Sequence, residues 1–142
     1  MNRRQAIKKI LKESKDAIIV STDGLISREV YDLRKRKVFP MVGSMGLAPS
    51  IGLGIALNTN KEVIIINGDG SFLMSAGTQQ LINYYHLPNL KHFILDNEMY
   101  ETTGNQKCIP IKADGCSVIK IKKGGEKPPR IKELKKIKKC FL

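Results

Sequence analysis

The chain has 142 residues, of which 42% are hydrophobic and 27% charged, a composition typical of one globular domain. Its most apolar run, Val63 to Ile66, is far shorter than the roughly 20 residues of a membrane span, and the amphipathic start lacks a secretory signal, so a cytoplasmic location is expected. The formal charge of +12 is concentrated from Lys107 onward, where 12 basic residues stand against 3 acidic ones.

Helical and extended patterns alternate along the first part of the chain. Apolar residues at helical spacing, including Ala6, Ile7 and Ile10, predict an amphipathic surface helix over the first dozen or so residues. The following elements are predicted as a buried strand at Ala17 to Val20, a helix from about Ser27, as its cap, to Lys35, and an extended segment at Val38 to Val42.

The middle of the chain continues this alternation. The predicted elements are a small-residue helix at Leu47 to Leu57 with Pro49 in its first turn, a strand at Val63 to Ile66, a helix at Ser71 to Tyr85 and a strand at His92 to Leu95. Four consecutive β-branched residues suit a strand that is covered on both faces. The sequence therefore predicts an α/β fold with a doubly wound, mostly parallel sheet, whose ligands bind beyond the carboxyl ends of the strands.

The motif Gly68-Asp69-Gly70-Ser71 lies where the clearest predicted strand ends and a helix begins. Backbone amides in this position can bind an anion such as a diphosphate, and Asp69 offers a hard oxygen ligand for magnesium. A lone Gly-Asp-Gly is weak evidence, because most such tripeptides are ordinary turns. Asp96-Asn97 strengthens it: 26 residues separate Gly70 from Asn97, enough for a helix and a returning strand, so both ligands reach one edge of the sheet.

Gly68-Asp69-Gly70, this interval and Asn97 together resemble the signature of enzymes that depend on thiamine diphosphate. The resemblance implies that Asp69, Asn97 and the backbone carbonyl of Met99 bind Mg²⁺, while Gly68, Gly70 and Ser71 contact the diphosphate and Tyr100 lies at the cofactor. Gly43-Ser44-Met45-Gly46 resembles a second element of this family, in which Met45 props the cofactor in its bent form and the Gly43 carbonyl holds the aminopyrimidine amine. Read alone, Met45 is a core residue.

Two further motifs narrow the resemblance to the sulfopyruvate and phosphonopyruvate decarboxylases, over about Asn2 to Gln106. They are Thr22-Asp23-Gly24 with Arg28-Glu29, and Tyr100-Glu101-Thr102-Thr103-Gly104-Asn105-Gln106. Asp23 departs from the threonine that is commoner in that group, so a direct phosphate contact there is not expected. Arg28 has two readings of equal weight, a substrate anion site and an ion pair with a neighbouring carboxylate.

The resemblance also implies a partner. In the family, a glutamate on a separate pyrimidine-binding domain activates the cofactor, and a chain of this length has no room for that domain. No catalytic residue is therefore expected in this chain, and a hetero-oligomer with a pyrimidine-binding (alpha) subunit is expected to decarboxylate a small 2-oxo acid. The substrate is expected to be sulfopyruvate, with phosphonopyruvate as the alternative.

Residues 1–142 are expected to form a single diphosphate-binding domain. Family members have several tens of residues more after the position of Gln106, so an internal deletion and an omitted mobile segment are both open. A different function also remains open, a non-catalytic binding module whose basic end contacts nucleic acid or a partner. Base stacking is not supported, because aromatic residues make up only 6% of the chain and none interrupts the lysine run.

The cysteines and histidines carry no convincing site of their own. Cys108, Cys116 and Cys140 lack metal-site spacing and are read as reduced structural thiols. His86, at a predicted helix end, and His92, at a predicted strand start, are read as structural because neither has a metal-spaced partner.

Overall fold

The computed structural model describes residues 1–132 and contains seven strands within them. These are β1 (Ile18–Ser21), β2 (Val38–Pro40), β3 (Val63–Gly68), β4 (Leu90–Asp96), β5 (Met99–Tyr100), β6 (Gln106–Lys107) and β7 (Ser117–Lys120). Five of them form one sheet in the order β2-β1-β3-β4-β7, with every neighbouring pair parallel. The other two, β5 and β6, form a small antiparallel hairpin.

Helices cover both faces of the large sheet. They are α1 (Arg3–Glu13), α2 (Gly24–Leu33), α3 (Ala48–Leu57), α4 (Asp69–Met74) and α5 (Gly77–Tyr85). One core joins α1 and α2 to the face that includes Ile64 and Ile66. A second core joins α3 and α5 to the opposite face, which includes Val63 and Ile65. Alternate residues of β3 therefore enter different cores, and the predicted doubly wound parallel sheet is confirmed.

The first turn after β1 differs from the prediction. The helix begins at Gly24 rather than at Ser27, which is buried inside it. Gly24 has a φ of +72°, a left-handed conformation that glycine adopts without a steric penalty. The prediction of Ser27 as the cap was wrong because Gly24 turns the chain directly into the helix.

The long helix predicted from Ser71 to Tyr85 is two shorter helices that meet at Ser75 and Ala76. The Ser75 hydroxyl donates a hydrogen bond to the Gly46 carbonyl in the loop before α3. Serine favours helix ends when its hydroxyl bonds elsewhere, so a contact with a distant loop accompanies the break.

The described part of the chain after Gln106 contains the end of β6 and the short strand β7. Between Lys107 and Lys132 the described structure has no helix, and Ile121 packs against the core. Cys108 and Cys116 are free thiols. The last part of the basic stretch, with Cys140 and Phe141, lies outside the described residues. In residues 1–132, no helix has both the length and the apolar character that crossing a bilayer requires.

Candidate functional site

A cavity opens at the carboxyl edge of the sheet. Its walls come from the loops that follow β1, β3 and β4, together with Met45 from the loop before α3. Eight of the site residues predicted from the sequence line this cavity. They are Met45, Gly68, Asp69, Gly70, Ser71, Asn97, Met99 and Tyr100. Parallel strands bring these segments together, since their carboxyl ends all lie at one edge.

Asp69 and Asn97 converge on one point of this cavity. Asp69 Oδ2 lies 3.1 Å from the Met99 nitrogen, and Asn97 Oδ1 lies 3.2 Å from the same nitrogen. Both oxygens accept the Met99 N–H, and both residues are buried. The interval of 26 residues between Gly70 and Asn97 thus brings a carboxylate and an amide oxygen together from adjacent strands.

Met99 presents its N–H, not its carbonyl, to these two oxygens. Its carbonyl accepts a hydrogen bond from the Glu101 N–H at 3.1 Å. Glu98 has a φ of +62°, which turns the chain back between Asn97 and Met99. The third ligand implied by the resemblance, the Met99 carbonyl, stays a prediction.

The oxygen donors at this point suit a hard cation. A carboxylate and an amide oxygen are ligands that Mg²⁺ accepts, and Mg²⁺ usually completes its coordination with phosphate oxygens and water. The described residues contain no group of three or more His, Cys, Asp or Glu side chains that could bind a metal without such help. The residues therefore fit a metal that arrives with a phosphate ligand.

The Asp69 carboxyl is buried at the start of α4. Burial raises the pKa of Asp69 above its usual range, and the nearby Asp96 adds to this, whereas the Gly70 and Met99 N–H groups act in the opposite direction. Asp96 itself forms an ion pair with Lys120 at 2.7 Å. A cation beside Asp69 would offset the unfavourable burial of its negative charge.

Gly70 is the point of closest approach between the first motif and the hairpin. A Cβ atom at Gly70 would stand 2.5 Å from Tyr100 Cε1 and 3.4 Å from Met45 Cε. The Tyr100 ring and the Met45 side chain therefore lie directly over the backbone of this glycine. Any larger residue at this position would displace Tyr100.

Ser71 connects three loops at the carboxyl edge. Its Oγ accepts a hydrogen bond from the Gly46 N–H at 3.0 Å and lies 2.6 Å from Thr22 Oγ1. Gly46 is itself close-packed, because a Cβ atom there would lie 2.8 Å from Met74 Cβ. The two motifs that the sequence singles out are thus joined by direct hydrogen bonds.

The structure places the second motif partly outside the cavity. Met45 lines the cavity and is 37% exposed. Gly43 and Ser44 are exposed and are not among the residues that line it. Their roles as cofactor contacts stay predictions.

Asp23 and Arg28, which the sequence analysis names after β1, lie in different clefts. Asp23 lines the cavity, whereas Arg28 lines a different cleft with Tyr31, Lys35 and Arg130. Arg28 makes no ion pair within residues 1–132. The ion-pair reading of Arg28 therefore gains no support.

The structure places two further residues near the site. Arg3 is buried and lines the cavity, although its position in an amphipathic helix gives no sign of this. Cys108 is also buried, and its pKa is raised to about 11, chiefly by burial and then by the negative charge of Asp69. It therefore remains a protonated thiol at neutral pH.

His92 lies away from the cavity, in the third position of β4 rather than at its start. Its Nδ1 is 2.7 Å from Gln79 Oε1, and burial lowers its pKa to about 4. This buried, neutral ring agrees with a structural role. His86 is exposed at the end of α5.

Comparison with known proteins identifies one enzyme family. Residues 25–137 match the family model described as "Thiamine pyrophosphate enzyme, C-terminal TPP binding domain". The beta subunit of sulfopyruvate decarboxylase from Methanocaldococcus jannaschii is 49% identical over 107 residues, which cover 74% of this chain and 57% of that subunit. Phosphonopyruvate decarboxylase from Streptomyces viridochromogenes is 41% identical over 114 residues, covering 79% of this chain and 29% of that enzyme.

A solved structure has the same fold. An enzyme from Mycobacterium smegmatis, assigned as thiamin diphosphate-dependent, superposes with a TM-score of 0.64 at 18% identity, over 86% of this chain and 32% of that one. The chain thus spans little more than half the length of the beta subunit above, and a third or less of the two longer proteins.

Proposed function

Because the chain belongs to the thiamine pyrophosphate enzymes through their C-terminal TPP-binding domain, we propose that it holds the diphosphate and Mg²⁺ for a 2-oxo acid decarboxylase. Thiamine pyrophosphate is thiamine diphosphate under another name. Asp69 and Asn97 would bind the metal, and the Met99 carbonyl would complete the protein ligands. Gly68, Gly70 and Ser71 would contact the diphosphate, while Gly43, Ser44, Met45 and Tyr100 would contact the rest of the cofactor.

The convergence of the Asp69 and Asn97 oxygens in one cavity is the observation that carries this proposal. The start of α4, from Gly68 to Ser71, lines the same cavity, and the Tyr100 ring packs directly over Gly70. Because α4 has only six residues, direct N–H donors would contribute more than a helix dipole.

When bound, thiamine diphosphate supplies the carbon nucleophile and the electron sink that decarboxylation of a 2-oxo acid requires. The contribution of this chain is to hold and orient it. Asp69 and Asn97 would hold the metal that neutralises the diphosphate, and Met45 and Tyr100 would form an apolar wall that limits access of water. No side chain of the chain is proposed to transfer a proton to the substrate.

Sulfopyruvate is the proposed substrate, since the relatives named for it include the 49% identical beta subunit. Phosphonopyruvate is the alternative, supported by the 41% identical decarboxylase. Both molecules are small 2-oxo acids with a second anionic group. A purified complex supplied with each compound in turn would distinguish them by the rate of carbon dioxide release.

A partner subunit is part of the proposal. Three of the relatives are named as beta subunits, which implies another subunit in those enzymes. Four exposed apolar side chains lie in or near the loop that carries Met45. They are Val42, Met45, Leu47 and Met74, with exposures of 62%, 37%, 47% and 57%. A pyrimidine-binding subunit that covers this surface would remove these side chains from water.

The test is calorimetric titration of thiamine diphosphate with Mg²⁺, using the chain alone and in complex with a pyrimidine-domain subunit. Binding that requires Mg²⁺ and disappears in Asp69→Ala is expected. Asp16→Ala, at a fully exposed carboxylate far from the cavity, is the matched control and should bind as the unmodified chain does. Absence of binding both with and without the partner would refute the proposed function.

A further inference from the structure

A partly buried chain of polar groups connects the metal-ligand candidate Asn97 to the N-terminal helix. Asn97 Nδ2 donates to Glu101 Oε2 at 3.2 Å, and Arg3 Nη1 lies 3.2 Å from the same carboxylate oxygen. Arg3 also contacts Glu29, through its Nε at 3.3 Å, and the Glu126 carbonyl, through its Nη2 at 2.9 Å. Each nitrogen of the Arg3 guanidinium therefore has its own acceptor.

These contacts act together with the Met99 N–H, which donates to Asn97 Oδ1, to select which end of the Asn97 amide faces the cavity. An asparagine amide has one acceptor oxygen and one donor NH2 group, and only the oxygen can bind a cation. Glu101 accepts from the NH2 group, which leaves Oδ1 on the side of Asp69 and the Met99 N–H. A rotated amide would point its NH2 group toward the metal position and its oxygen at a carboxylate.

The position of Glu101 is in turn fixed by Arg3. The Arg3 side chain is 5% exposed and the Glu101 side chain 20%, so water competes little for their contact. A guanidinium is planar and presents its donors in fixed directions. Glu29, whose side chain is 4% exposed, holds this guanidinium through its Nε. Lysine could not contact Glu29, Glu101 and the Glu126 carbonyl with the same geometry.

We propose that Arg3 and Glu101 are positioning residues that hold the Asn97 amide with its oxygen toward Mg²⁺. This inference rests on the proposed function, because it assigns the two residues to the metal site of the cofactor. Groups that orient metal ligands in this way typically contribute about 10- to 100-fold to metal affinity. Both residues also line the cavity, and the role proposed for them acts through Asn97.

The experiment titrates Mg²⁺ into the full chain, in complex with its pyrimidine-domain subunit, at a saturating concentration of thiamine diphosphate. Binding is followed by calorimetry, so no turnover is needed. Glu101→Ala removes the acceptor of the Asn97 NH2 group and should raise the Mg²⁺ concentration for half-saturation by about 10- to 100-fold. Glu101→Gln keeps an acceptor oxygen and should recover most of this loss.

Arg3→Lys tests the other member of the pair, and it keeps the positive charge in case Glu101→Ala fails to fold. Its Mg²⁺ affinity should fall between those of the unmodified chain and Glu101→Ala. Asp32→Asn is the matched control, because Asp32 belongs to the same ion network through Arg4 but contacts neither Arg3 nor Glu101. Thermal melts of all four variants report their folding separately.

The outcomes separate the inference from the proposed function. If the unmodified chain binds no thiamine diphosphate with Mg²⁺, both fail. If it binds and the folded Glu101→Ala and Arg3→Lys variants have unchanged Mg²⁺ affinity, only the positioning role is wrong. Equal losses in Asp32→Asn and Glu101→Ala would also overturn it, since the effect would then be general to the ion network.

Discussion

Asp23 is an acidic side chain in a cavity that is proposed to hold a diphosphate. It lines this cavity and accepts a hydrogen bond from the Thr22 hydroxyl at 3.2 Å. Thr22 is in turn within 2.6 Å of Ser71 Oγ, so only the Thr22 side chain separates the carboxylate from the first motif. A negative charge in this position repels an anionic ligand.

Asp23→Asn should therefore strengthen binding of thiamine diphosphate. Asparagine keeps an oxygen that can accept from Thr22, while the charge is removed. Two unit charges about 4 Å apart in water interact by about 1 kcal/mol, so a roughly fivefold lower dissociation constant is expected in calorimetry. The control is Asp16→Asn, which makes the same charge change at an exposed site next to Lys37. Weaker binding in Asp23→Asn would show that the carboxylate has a positive role.

At this scale, the sequence predicts that Asp69 and Asn97 lie close together, because their placement follows from a simple rule. Residues that immediately follow parallel strands meet at one edge, whatever the details of packing. Arg3 and Glu101 could not be found in this way. Arg3 occupies a helix with several other basic residues, and only the contact with residues that lie far along the chain shows that it is buried.

Among the helices and strands, those set by the local sequence were predicted, and those set by contacts with distant residues were not. The strand at β3 was predicted because four β-branched residues indicate burial on both faces. The break between α4 and α5 was not, since the Ser75 hydroxyl bonds to Gly46 in another loop, and helical periodicity contains no information about that contact. The short strands β5 and β6 were also missed, because two residues are too few to produce an alternating pattern.

The packing of β4 against α5 depends on a buried histidine. Gln79 Nε2 donates to Asn83 Oδ1 at 2.8 Å and to the Asp114 carbonyl at 3.1 Å, so Gln79 Oε1 is left as the acceptor for His92 Nδ1. His92 Nε2 has no hydrogen-bond partner within residues 1–132. Protonation of Nε2 would place an unpaired charge in the core, which explains the pKa of about 4.

Stability should consequently fall in acid through His92. The folded pKa of about 4 lies below the usual 6.5, so from pH 6.5 down to about 4 the unfolded chain binds the proton and the folded chain does not. Between pH 7 and 4.5 this costs about 2 kcal/mol of the free energy of unfolding.

Urea unfolding at a series of pH values tests this expectation. His92→Gln should lose less stability in acid than the unmodified chain, by the same amount of about 2 kcal/mol. His86→Asn is the control, because His86 is exposed with a left-handed φ of 44°, which asparagine tolerates. Equal acid sensitivity in the unmodified chain and His92→Gln would contradict the prediction.

For the molecule as a whole, the region after Gln106 supports the residues around the site. The strand β7 pairs with β4, which leads directly into Asn97, and the Glu126 carbonyl accepts from Arg3. A chain that ended near Gln106 would lose these contacts together with its basic residues. Such a truncation could not distinguish a nucleic-acid-binding end from a damaged fold.

A truncation after Lys132 makes that distinction. It removes four lysines and one glutamate while it keeps every residue that lines the cavity. We expect unchanged affinity for thiamine diphosphate with Mg²⁺. We expect the full chain to bind duplex DNA weakly. The truncated chain should show a smaller salt dependence of this binding, because each lost phosphate contact reduces the slope of log affinity against log salt by about 0.9.

Substitution of Lys135, Lys136, Lys138 and Lys139 by glutamine is the matched control, since it removes the charge without shortening the chain. Both changes should reduce DNA affinity alike and leave cofactor affinity as it was. A non-catalytic binding module would be favoured by the opposite pattern. In that case DNA binds tightly, this binding is lost when the lysines are removed, and neither the unmodified nor the altered chains bind the cofactor. The affinities for thiamine diphosphate and for DNA, measured on the same variants, therefore decide between the two functions, because the cavity and the basic end can be altered separately.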